Sequence, residues 1–129
     1  MIPSDLRYHT EHEWVRVNGK QATIGISHFA QDALGDIVFV DLPKVGTAVK
    51  SGQQIGEVES TKTTSTIYTP VGGTIVQVNN ELKDHPELMN SDPYGKGWIT
   101  VIELADPGEV EGLMTAPQYE AFLASQKTG

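Results

Sequence analysis

Apolar and polar residues alternate along most of this chain in short runs broken by glycine, proline and asparagine, the pattern of short strands joined by tight turns. Residues 13–17 and 21–27 are two such runs, and Asn18-Gly19 between them predicts a hairpin with a type I′ turn. Ser27 is placed to cap a short helix over 28–34 that Gly35 ends, with Phe29, Ala30, Ala33 and Leu34 as its buried stripe. Residues 37–40 are apolar without a break, which predicts a central strand stopped by Leu42-Pro43. A short strand over 45–49 turns at Lys50-Ser51-Gly52 into a run over 54–59 whose apolar members are Ile55 and Val58. A polar stretch follows, then 65–70 with Ile67 and Tyr68 before Pro70, so that about 54–70 reads as a second hairpin.

Beyond it, Val71-Gly72-Gly73 is a bend that needs a residue free to adopt positive φ, and Gly73 is assigned to it. Residues 74–79 alternate again. Gly46-Thr47-Ala48-Val49 and Gly73-Thr74-Ile75-Val76 form a faint echo across the hairpin, suggesting two half-sheets related by a pseudo-two-fold axis. Residues 80–94 read as loop with at most one helical turn near 87–89, and 98–102 as a last strand before the break at Asp106-Pro107-Gly108. A terminal helix over about 116–126 opens on a capping box of Thr115 and Gln118, with Tyr119, Phe122 and Leu123 on one face.

At 129 residues and 38% hydrophobic content, 1–129 is expected to be a single domain with one core. A net charge of −8 disfavours nucleic acid as a partner. There is no cysteine, so disulfides, thiolate metal sites and a thiol nucleophile are excluded. No apolar window is long enough to span a membrane, and the N-terminus lacks the basic and apolar regions of a signal peptide. A cytoplasmic monomer is the expectation.

The chemistry-bearing residue is Lys62, in the polar crest Ser60-Thr61-Lys62-Thr63 of the second hairpin. A lysine there points into water on a stiff support. That suits a catalytic base poorly, because burial is what lowers a lysine pKa. It suits an amine that another enzyme must reach and acylate. His9, His12 and Glu13 do not read as His-Glu-x-x-His, and strand periodicity would turn His12 and Glu13 to opposite faces, so no metal site is expected. No Walker loop, dinucleotide fingerprint or nucleophile elbow is present, and no catalytic residue is assigned.

Glu57-Val58-Glu59-Ser60-Thr61-Lys62, Ile67-Tyr68-Thr69-Pro70 and Gly72-Gly73 together resemble the lipoyl hairpin of the glycine cleavage H-protein family. Tyr8-His9-Thr10-Glu11-His12-Glu13-Trp14 is similar to that family's amino-terminal signature. Ile24-Gly25-Ile26-Ser27, Val38-Phe39-Val40-Asp41-Leu42-Pro43 and Asn90-Ser91-Asp92-Pro93-Tyr94 extend the resemblance over nearly the whole chain. It implies a mainly β fold, a β-sandwich of the biotinyl/lipoyl type (a barrel-sandwich hybrid) with short helices and a C-terminal helix. It implies a carrier without activity of its own, bearing lipoic acid in amide linkage on Lys62. Its implied partners are a pyridoxal-phosphate glycine decarboxylase, a tetrahydrofolate-dependent aminomethyltransferase, a dihydrolipoamide dehydrogenase and the lipoate-attachment enzyme. By the same resemblance Glu59 is read by the attachment enzyme, Gly73 serves the bend with a secondary part in recognition, and Glu13 is the acidic partner of the aminomethyl nitrogen.

The chain departs from the family pattern at Thr63-Thr64 and Thr66, where a small apolar pair and an acidic residue are usual, and at Ala33, where some members carry histidine. A biotin carrier is disfavoured because Lys62 stands between Thr61 and Thr63 and not between methionines. A related lipoyl relay, or an unmodified carrier serving as a binding module, is the alternative.

Overall fold

The computed structural model describes residues 2–127. Its strands are β1 (Arg7–Tyr8), β2 (Glu13–Asn18), β3 (Gln21–Ile26), β4 (Ile37–Asp41), β5 (Ala48–Val49), β6 (Gln54–Ser60), β7 (Thr64–Tyr68), β8 (Gly73–Val78) and β9 (Thr100–Leu104). The helices are α1 (His28–Leu34), α2 (Glu81–Asp84), α3 (Leu88–Ser91) and α4 (Ala116–Lys127), with a 3₁₀ helix over Pro107–Gly112. Two antiparallel sheets result, one in the order β1-β2-β3-β9-β8-β5 and one in the order β4-β6-β7. The mainly β class with short helices and a C-terminal helix is as expected.

The main core includes Val15 and Ile24 of the larger sheet with Val40, Val58 and Ile67 of the smaller one. Fully burying side chains of this size contributes about 1.5–3 kcal/mol each. A second cluster of Leu6, Tyr8, Trp14, Ala116 and Tyr119 lies where α4 meets the larger sheet. Tyr8 and Tyr119 stack with ring centroids 4.5 Å apart, and the Trp14 indole N–H donates to the Pro93 carbonyl at 2.9 Å. Strand β2 is therefore covered on both faces. Trp14 points to the second cluster, and Glu13 and Val15 share the opposite side of the pleat.

Several local expectations change. The first hairpin turns at Gly19-Lys20, because Asn18 already pairs with Gln21. Gly19 alone has positive φ there, which fits a type II′ and not a type I′ turn. The continuous apolar run in β4 lies at a sheet edge. A bulge between Ile37 and Phe39 leaves Val38 and Phe39 each 53% exposed while Ile37 and Val40 stay buried. The two echo segments do not head separate half-sheets; β5 and β8 pair with each other, Ala48 opposite Thr74. The strand expected over 45–49 shortens to β5; the helical turn expected near 87–89 is present as α3, and α2 is a further turn in the region read as loop. At α4 the capping box forms, with the Thr115 N–H donating to Gln118 Oε1 at 2.9 Å and the Gln118 N–H to Thr115 Oγ1 at 3.4 Å.

Candidate functional site: a lysine on a pinned turn beside an apolar cleft

β6 and β7 form the hairpin that presents Lys62, their pairing running from Gln54 opposite Tyr68 to Glu59 opposite Thr64. Ser60 closes the turn. Its N–H donates to the Thr63 carbonyl at 2.8 Å. Its hydroxyl accepts the N–H groups of Lys62 and Thr63 at 3.3 and 3.1 Å and donates to the Thr63 carbonyl at 3.2 Å. That uses one donor and two lone pairs, the full capacity of a hydroxyl. The Thr61 N–H donates to the Asp36 carbonyl at 3.0 Å, fastening the crest to the end of α1. Lys62 is exposed, but its backbone is fixed from two sides.

Gly35 completes this junction. It has φ of +81° and ends α1 by donating its N–H to the Gln31 carbonyl. A Cβ placed there would meet Lys62 Cε at 3.5 Å, so the lysine stem runs past the bare backbone of Gly35. The far end of the stem thus lies against the C-terminal end of α1, at the residue that follows Ala33 and Leu34 in the chain.

Those two residues, with Phe29 and Ala30, form one wall of a cleft of about 140 Å³. Val58, Ser65, Thr66 and Ile67 of the lysine hairpin form the other wall, and Glu11 and His12 of the turn before β2, Glu13 of β2 and Ile26 of β3 complete the lining. This explains a correction on α1. Its apolar stripe was expected to be buried, yet Phe29, Ala30 and Leu34 are half-buried and Ala33 is exposed; Gln31 is the buried residue. The stripe faces a cavity and not a filled core.

Glu13 is 1% exposed. Its Oε1 pairs with His9 Nδ1 at 2.9 Å and its Oε2 accepts the Tyr68 N–H at 3.1 Å, which ties the larger sheet to the edge of β7. A carboxylate has about four lone-pair positions, so capacity remains for a further donor. Burial pushes the Glu13 pKa above the ordinary carboxylate value, and the contacts with His9 and Tyr68 oppose that shift. The folded state therefore favours protonated Glu13. Its contribution to stability is present in acid and lost as pH rises through its raised pKa. In Glu13→Gln that loss is expected to vanish, so the variant's unfolding temperature relative to the parent should climb from about pH 4 to neutrality. Thermal melts over that range check this.

His12 departs from the strand expectation. It precedes β2 with φ of +74°, and it lines the cleft together with Glu13. Its Nδ1 bonds the Tyr119 hydroxyl at 2.8 Å, and that hydroxyl meets Ser27 Oγ at 2.7 Å. Burial holds the His12 pKa below the ordinary histidine value. No group of three or more His, Cys, Asp or Glu side chains is arranged to hold a metal among the described residues.

Glu59 is exposed at the base of the turn, opposite Phe39 and Thr64. Gly73 stands well away from it in the chain, where β8 begins opposite Val49 and Leu104. The sequence signals neither the passage of the lysine stem over Gly35 nor the contacts of Glu13 with His9 and the Tyr68 N–H. For Gly35, its place at the end of a helix signalled a cap but gave no sign that the lysine would pass over it.

A family model described as "Glycine cleavage H-protein" matches residues 6–126. The chain is 57% identical over 119 residues to the glycine cleavage system H protein of Bacillus subtilis, covering 92% of this chain and 94% of the relative. It is 52% identical over 121 residues to that of Symbiobacterium thermophilum, at 94% of each. The crystal structure of a glycine cleavage system H protein from Mycobacterium marinum superposes with a TM-score of 0.86 at 41% identity, covering 93% of this chain and 97% of that one.

Proposed function

Because the chain belongs to the glycine cleavage H-protein family, we propose that Lys62 carries lipoic acid in amide linkage and that the protein works as the system's lipoyl carrier. In this reading the aminomethyl group of glycine passes from a pyridoxal-phosphate glycine decarboxylase to a tetrahydrofolate-dependent aminomethyltransferase. A dihydrolipoamide dehydrogenase then restores the oxidised arm. The chain catalyses none of these steps. It acts as one domain over 1–129, as a monomer, in the cytoplasm. No described helix is long and apolar enough to cross a membrane, so no span stands against that location.

The observation that carries the proposal is the placement of Lys62: exposed on a pinned turn, its stem beside Gly35, the residue that follows the α1 wall of a cleft lined by a buried carboxylate. The residues fit the group. The apolar lining of Phe29, Ala30, Ala33 and Leu34 from α1 with Val58 and Ile67 matches an aliphatic arm, and Glu13 offers an acceptor to an amine. The lipoyl group supplies a cyclic disulfide that opens to accept the one-carbon unit and closes again on oxidation. The chain itself does three things. Ser60 and the Asp36 carbonyl hold the attachment point still. The half-buried stripe of α1 excludes water. An ammonium beside Glu13 would oppose the burial that raises its pKa and favour the carboxylate, which then supplies the counter-charge. Glu59 guides the attachment enzyme, and Gly73 serves the bend.

The test is reconstitution. Lipoylated protein, mixed with the decarboxylase, the aminomethyltransferase, the dehydrogenase, tetrahydrofolate and NAD⁺, should support glycine-dependent NADH formation that the bare chain does not. Equal rates with and without lipoylation would refute the proposal. Glu13→Gln should keep both hydrogen-bonding positions, fold and accept lipoate normally. It should release several-fold more free formaldehyde per glycine decarboxylated, because the amine loses its counter-charge; colorimetric formaldehyde assay measures this.

A further inference from the structure

We propose that the outer face of the β4-β6-β7 sheet, centred on Phe39, is the docking surface for the enzyme that acylates Lys62, and that this enzyme meets it with a basic rim around an apolar socket. The inference rests on the reading of Lys62 as the acylated residue.

Residues directly opposite in an antiparallel sheet share a face. Phe39 lies opposite Glu59, and Glu59 opposite Thr64; Asp41 lies opposite Glu57, and Glu57 opposite Thr66. The two rows run across the strands that end in the Lys62 turn. Phe39 is 53% exposed, as is Val38 beside it. An aromatic ring left in water on a rigid strand, ringed by polar groups, is the composition of an interface anchor.

The electrostatics select the partner. Asp41, Glu57 and Glu59 make no ion pair among the described residues, and Asp36 adds a further exposed carboxylate at the foot of the turn. A protein reaching over this surface gains from basic side chains on that flank. Beside Phe39, Lys44 and Lys83 border a groove of about 390 Å³ that Phe39 and Asp41 also line, so basic and acidic groups meet at the edge next to the ring and the uncompensated carboxylates lie toward the Lys62 turn. Phe39 pairs opposite the residue three places before Lys62, so an enzyme bound here has the amine within its footprint. In the transfer the unprotonated Lys62 amine attacks a lipoyl carboxyl activated as its mixed anhydride with AMP. The C–N bond forms, the C–O bond to phosphate breaks, AMP departs and the surplus proton on nitrogen goes to solvent.

The experiment follows lipoylation by intact mass, with lipoic acid, ATP and a lipoate–protein ligase, at several concentrations of the full chain. Phe39→Ser should raise the ligase KM for the protein about tenfold with kcat little changed. Val17→Ser, on β2 and 46% exposed, should leave both constants unchanged. Replacing Glu57 and Glu59 by glutamine should flatten the fall of kcat/KM with salt. Thermal melts matching the parent show that the variants are folded. Parental KM in Phe39→Ser overturns the docking surface while leaving Lys62 acylation intact. A parent chain that never gains the lipoyl mass overturns both. Normal ligation of Phe39→Ser with a slowed glycine decarboxylase step would assign the face to the decarboxylase and overturn the proposal as stated.

Discussion

Lys62→Arg is expected to abolish lipoylation and, with it, every trace of carrier-dependent glycine cleavage, while leaving the fold untouched. The exchange keeps the positive charge and most of the stem. A guanidinium stays protonated at pH 7 and offers no free amine to an activated carboxyl. Lys62 is exposed, and it is the backbone of the turn that Ser60 and the Asp36 carbonyl hold. Stability should therefore change by no more than about 0.5 kcal/mol, as for surface positions generally. The two readouts separate function from folding: NADH formation should fall to background in the reconstituted system, and the melting curve should coincide with the parent's. Lys62→Ala should behave in the same way, which would exclude charge as the cause.

Gly73→Ala should have the opposite signature. Gly73 has φ of +153°, and a Cβ there would fall on the carbonyl oxygen of Glu103, with the Ile102 side chain at 2.9 Å. Glu103 belongs to β9, which pairs with β8 along its length, so neither backbone has room to withdraw. Strain plus a backbone clash should cost about 3 kcal/mol or more. For a domain of this size that lowers the unfolding temperature by roughly 10 °C. The variant's folded fraction, assayed well below its midpoint, should accept lipoate at the parent's kcat/KM. That pairing of a large thermal loss with normal ligation assigns Gly73 to the bend. Parental stability with impaired ligation would instead assign it to recognition.

Much of the architecture was legible in turn residues and alternation. Gly35 as the end of α1, the Thr115–Gln118 cap of α4 and the hairpin carrying Lys62 follow from local chemistry, which does not depend on distant packing. What failed depends on neighbours that a periodic pattern does not specify. An apolar run such as 37–40 reads the same in a central strand and at an edge, and here a bulge turns Val38 and Phe39 outward. The stripe on α1 gave the correct face but not its degree of burial, because a helix bordering a cleft and a helix bordering a core carry the same periodicity. His12 broke the strand rule because it sits before β2 at positive φ. At the candidate site, Lys62 stood out by its place in a turn. The tie of Glu13 to the Tyr68 N–H joins segments far apart in sequence, and its contact with His9, four residues earlier, depends on a turn that strand periodicity does not describe.

The central claim is that one amine, that of Lys62, receives the lipoyl group. Its most direct test is mass spectrometry of the protein made in cells supplied with lipoic acid, followed by fragmentation of the peptide containing residue 62. A single added lipoyl amide located on Lys62 is the predicted result. An unmodified Lys62, or the same mass gain on another lysine, would contradict the account.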